Sequence, residues 1–197
     1  MDTIETGSCT AFEGSRRIAT GKLAEVVLAV KAALDRGGTE PILIFDDATA
    51  KVIDVDFRGS ADDVRLRLSE KAATSGTAEA EPEGAKRPGR PKLGVIGREV
   101  TLLPRHWDWL NGQPGGASVA LRKLVDEARR ANEDTDRKRK ARDAAYRFMA
   151  AMAGDHPGFE EALRALFAGD AQCFQALTEA WPADMRDHAR KLAAGAF

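Results

Sequence analysis

The period of the apolar positions changes along this chain, and each change predicts an element. Thr10-Ala11-Phe12 and Arg17-Ile18-Ala19 flank the turn signal Glu13-Gly14-Ser15-Arg16, which predicts a small hairpin. Between Lys22 and Leu34, apolar residues stand at Leu23, Val26, Val27, Val30 and Leu34, the spacing of one helix face, and Gly37-Gly38 ends that helix. Pro41-Ile42-Leu43-Ile44-Phe45 is a continuous apolar run, the mark of a strand buried on both faces. Val52 to Phe57 alternates in its second half and predicts a further strand, joined to the previous one by a hairpin loop over Asp46 to Lys51. Ser60 with Asp63 is the hydroxyl-x-x-acid start of another helix, carrying Val64 and Leu68. The predicted order is ββαββα, a small α+β domain over residues 1–71.

From Ala72 to Ala85 the chain is small, polar and aperiodic, with Glu79, Glu81 and Glu83 and no base. Such a stretch buries too little apolar surface to order itself, so residues 72–92 are expected to be a disordered linker ending in a basic arm. Arg98 to Leu103 alternates as one strand, with Val100 and Leu102 on one face and Glu99, Thr101 and Leu103 on the other. A lone strand leaves its edges unpaired, and the simplest partner is the same strand of a second copy. Pro104 opens a helix with Trp107, Leu110 and Trp109; Gln113 to Ala117 breaks it. Ser118 is a good N-cap for a second helix with Leu121, Leu124, Val125 and Ala128 on its buried face. Residues 93–131 thus form a βαα segment, and residues 132–197 a helical domain. In that domain Ala145, Phe148, Met149 and Met152 lie at helical spacing; further helices run from Phe159 to Phe167, after Gly169-Asp170, and from Trp181-Pro182 to near Lys191.

Charge divides the chain in the same places. Residues 1–85 hold 10 basic and 16 acidic side chains, residues 86–142 hold 15 and 7, and residues 143–197 hold 5 and 8, so a net of −1 conceals a positive centre. A positive block suits an anionic partner such as nucleic acid; it equally suits folding back onto the acidic ends. Arg137-Lys138-Arg139-Lys140 fits a solvated continuation of helix or a hinge, with a phosphate-binding patch as the sharper alternative. Cys9 and Cys173 lack metal or redox spacing, as expected of ordinary thiols in a reducing compartment. The start carries no basic-apolar leader and no apolar run reaches membrane-spanning length, so a soluble, cytoplasmic protein is expected.

Candidate chemistry changes little of this. Asp46, Asp47, Asp54 and Asp56 have the hard oxygens a divalent cation wants, but two share a strand face and two sit at a turn, where Asp bonds its own backbone. His106 has no second ligand near it, so it is expected to be a helix-start histidine. No paired acid and base, nucleophile elbow, phosphate loop or metal constellation is present, so neither an enzyme nor a cofactor is expected.

Three resemblances add to this. Pro88-Gly89-Arg90-Pro91-Lys92 resembles the core of an AT-hook, with Pro88 where an arginine usually stands; it implies an extended arm, Arg90-Pro91-Lys92, in a narrow A·T minor groove, or else a stiffened basic linker. Arg98-Glu99-Val100-Thr101-Leu102-Leu103-Pro104 with Ser118 to Val125 resembles the ribbon-helix-helix DNA-binding dimers. That likeness implies that Glu99 and Thr101 face the major groove, that amides around Ser118 meet a phosphate, and that Arg98, Arg105, Arg122 and Lys123 contact the backbone. The acid and the apolar Leu103 on the outward face depart from the basic or amide side chains usual there. Finally, the order of ILIFDDATAKVIDVDFRG, the segment from GRPKLGVIGREV to KLVDEARR, and FMAAMAGDHPGFEEALRALFAGD resembles a bacterial family known only as a domain of unknown function. The combined expectation is a DNA-binding regulatory or accessory homodimer whose flanking modules recruit a further protein. The rival is a homodimeric interaction or assembly protein that never touches DNA.

Overall fold

A computed structural model describes residues 7–38, 40–75 and 96–197 of the chain. Among them it is a mixed α+β protein: β1 (Ser8–Glu13), β2 (Arg16–Lys22), α1 (Leu23–Asp35), β3 (Ile42–Asp46), α2 (Ala61–Ser75), α3 (Pro104–Asn111), α4 (Gly116–Ala131), α5 (Glu133–Met152), α6 (Phe159–Ala168), α7 (Ala171–Thr178) and α8 (Ala183–Ala193). These residues divide into two compact units, 7–75 with 135–197, and 96–134.

In the first unit β1 and β2 form the expected hairpin, with Gly14 at φ 53° in its two-residue loop. The sheet order is β2-β1-β3, antiparallel throughout. Strand alternation sends side chains to two separate cores. Cys9, Ala11 and Ile44 join Val26, Val27 and Val30 of α1 and Val64 of α2. Phe12 and Phe45 join Phe148, Met149, Leu166, Phe174, Trp181 and Met185 from α5 to α8. The apolar run of β3 is therefore covered on both faces, as its composition implied.

The helical tail is the second cover of the sheet, not a domain apart from residues 1–71. Composition places a boundary in the linker, yet the core closes between segments more than a hundred residues apart, which local periodicity does not encode. Two other expectations are corrected. Val52 to Phe57 makes one bridge, Phe45 with Val52, and one backbone bond, Ile53 N to Ile44 O at 2.8 Å, then leaves the sheet. Its alternation comes from Ile53, Val55 and Phe57 dipping into the α1–α2 core rather than from a ladder. Helix α2 also runs to Ser75, past the expected boundary at 71, because Ala72 and Ala73 are good helix formers. Its start is the capping box expected: Ser60 Oγ accepts from Asp63 N at 3.2 Å, and Asp63 Oδ2 accepts from Ser60 N at 2.8 Å.

In the second unit α3 starts at Pro104 and packs on α4. Helix α4 begins before Ser118, at Gly116, after Gly115 at φ 87°; glycine opens this helix because only it takes that turn without strain. Residues 96–103 form no strand within the single chain, since no other described segment offers a ladder to them.

Candidate functional site

Helix α4 is amphipathic: Ala117, Ala120, Leu121, Leu124, Val125 and Ala128 fall on one arc, and Arg122, Lys123, Asp126, Arg129 and Arg130 on the other. Its apolar arc is mostly uncovered. Of the apolar side chains in residues 96–134 only Leu110 and Ala120 are buried, while Val100, Leu103, Trp109, Leu124 and Val125 are 43–55% exposed. A groove of about 300 Å³ lies along the pair, lined by Leu102, Arg105, His106, Trp109, Leu110, Leu121 and Leu124. A segment of this size, with two buried apolar residues, does not hold itself together by its own core.

The residues expected to meet DNA are spread over the segment before α3 and over α3 and α4. Arg98, Glu99 and Thr101 are exposed ahead of α3, and Arg105, in the first turn of α3, lines the groove. Arg122 and Lys123 project from the polar arc of α4. Ser118 is exposed in the first turn of α4 and is not its cap, so it leaves the opening amides without a side-chain acceptor. None of Arg98, Arg105, Arg122 and Lys123 forms an ion pair among the described residues. Arg90, Pro91 and Lys92 lie outside the described residues. The groove itself was missed by motif reading; the spacing of Leu121 and Leu124 opposite Leu110 was its signal.

The other polar concentration lies inside the first unit. Asp47 accepts from Thr10 Oγ1 at 2.6 Å and from Lys191 Nζ at 3.1 Å. Burial pushes its carboxyl up, but the hydrogen bonds from Thr10, Lys191 and Ser8 outweigh that and hold it below the usual range. Its neighbour Asp46 serves the turn, as expected of Asp at such a position: Oδ1 accepts from Thr49 N and Thr49 Oγ1, each at 2.7 Å. Among the described residues no three His, Cys, Asp or Glu side chains converge as a metal would need. Cys9 is buried, and burial followed by the charges of Asp47 and Asp46 pushes its thiol up to about 11; Cys173 is exposed, and both are free. No helix among the described residues is long and apolar enough to cross a membrane.

A family model described as "Uncharacterized protein conserved in bacteria (DUF2239)" matches residues 8–193. No curated protein and no solved structure matches the chain.

Proposed function

The chain belongs to that uncharacterised bacterial family, and we propose that it is a homodimeric DNA-binding protein of regulatory or accessory role. The uncovered apolar arc of α3 and α4 carries the reading. A second copy buries the same residues on both sides of a two-fold axis, and residues 98–103, which lack a ladder within one chain, find one in their own counterpart. Such a ribbon turns Glu99 and Thr101 outward and leaves Arg98, Arg105, Arg122 and Lys123 beside it for phosphates.

Charge decides where the affinity comes from. Residues 96–134 hold six basic and six acidic side chains, so the excess positive charge lies outside them, in the arm with Arg90 and Lys92 and in 137–142. Binding by the arm is electrostatic and must weaken steeply with salt. The same balance favours, as the second reading, a homodimeric interaction protein that leaves DNA alone.

Sedimentation and duplex anisotropy test both. The wild-type chain sediments as a dimer, whereas Thr101→Pro, which removes a ribbon donor, sediments as a monomer. Wild type binds mixed and A·T-rich duplexes at low salt, and the Arg90→Ala, Lys92→Ala double variant flattens the log–log salt slope by about 0.9 for each phosphate it no longer neutralises. A dimer that binds no duplex at low salt leaves the interaction protein standing. A dimeric Thr101→Pro variant overturns the ribbon.

A further inference from the structure

His188 is 2% exposed in α8, and its Nε2 is buried with no hydrogen-bond partner. Aromatic rings surround it: the imidazole centroid lies 4.6 Å from that of Phe148 on α5 and 5.3 Å from that of Phe12 on β1. An imidazole in this setting is an apolar spacer between α8 and the sheet for as long as it is neutral. The charged groups facing it are Asp47 after β3, Lys191 on α8 itself and Arg17 on β2. Asp47, the only anion of the three, is already engaged by Thr10 and Lys191.

We propose that His188 is a proton-sensitive latch, whose protonation releases α8 from the sheet and opens the aromatic core. An imidazolium here gains some attraction from the ring faces but loses its hydration and finds no acceptor for Nε2, and the desolvation dominates. The polar ties between α8 and the sheet side are few among the described residues: Lys191 donates to Asp47, Arg17 N donates to Asp184 Oδ2 at 2.9 Å, and the Arg17 guanidinium pairs with Asp184 at 3.8 Å. Ties from α8 to α7 and the residue after it are separate: Arg190 donates to Thr178 Oγ1 at 3.0 Å and to Glu179 at 2.8 Å, and Arg186 to Glu179 at 3.1 Å. Release therefore opens the sheet side first, with α7 and α8 still joined, and exposes Phe12, Phe45 and Phe148.

Burial holds the imidazole down at about 4 in the closed form, against an ordinary value of 6.5. Above the ordinary value both forms are neutral and the latch is shut. As pH falls from there toward 4, only the open form takes up the proton, so the open-to-closed ratio rises about tenfold per pH unit.

The test is binding of an aromatic-core dye, anilinonaphthalene sulfonate, by the full chain from pH 7.5 to 4, alongside hydrogen exchange of the α8 amides. Wild type is expected to bind dye and lose α8 protection within this window while β1 and α1 stay protected. His188→Leu, which fills the space without titrating, is expected to stay shut across it. Identical profiles for the two proteins overturn the proposal. If His188→Leu does not fold, the wild-type imidazole is titrated by nitrogen NMR. Titration near 6.5 with α8 protection unchanged overturns the latch; protonation displaced below that value and coincident with loss of α8 protection supports it.

Discussion

At the residue scale the informative groups are those whose partners come from far along the chain. Ser60 with Asp63 and Asp46 with Thr49 bond within three residues, so their roles are legible from spacing. Asp47 is a different case, because its partner Lys191 is 144 positions away. Its depressed pKa means that the folded state holds the carboxylate more tightly than the unfolded chain does. That stability is present above the ordinary carboxylate range and is lost as pH falls through the depressed value. Asp47→Asn, which keeps the shape and removes the charge, is expected to cost about 1–3 kcal/mol at pH 7, with the gap to wild type closing toward pH 3. Urea denaturation of both proteins at the two pH values measures it. An equal gap at both values excludes the charge as the source.

At the element scale, most helices follow from capping and period, and their breaks from glycine and proline. The turn between α3 and α4 shows how narrow such signals are. Gly112 has φ −75° and a Cβ there would find ordinary contacts, whereas Gly115 has φ 87° and its Cβ would lie 3.2 Å from the Val119 side chain. Gly115→Ala is therefore expected to destabilise the pair by about 1–2 kcal/mol, and Gly112→Ala to leave it unchanged or slightly firmer. Far-ultraviolet melting curves of the two variants check the contrast, and equal losses would remove the conformational argument. Ser118 shows the limit of this reasoning: it is a good cap by type, but two glycines open the helix ahead of it. Residues 98–103 show another, since alternation marks a stretch able to pair and says nothing of whether its partner lies in the same chain.

At the scale of the whole molecule, the sheet is the middle layer of the first unit, and the aromatic cluster on its second face ties the two ends of the chain together. The Phe148 ring lies 5.3 Å from Phe12, 5.1 Å from Phe45 and 4.6 Å from His188, centroid to centroid. Phe148→Ala is expected to cost about 3–5 kcal/mol, and at pH 7.5, where His188 is neutral and α8 stays seated, β1 and α1 to melt in one transition with α5 to α8. Hydrogen exchange under increasing urea checks this. Strands that outlast the helices would mean that residues 1–75 are an independent domain after all.

What the sequence determined by itself is local: where most helices lie, the first hairpin, the capping box before α2, and the double-sided burial of β3. These depend on a residue and its neighbours within a turn or two, where period and side-chain chemistry act directly. Only the tertiary structure decided that residues 135–197 cover the sheet, that Val52 to Phe57 leaves it, and that His188 packs against Phe12 and Phe148 with its Nε2 buried and without a hydrogen-bond partner. Each is a contact between segments far apart along the chain, formed by burying surfaces whose composition is shared by many competing partners. Periodicity marks such a surface as apolar; packing alone selects what lies against it.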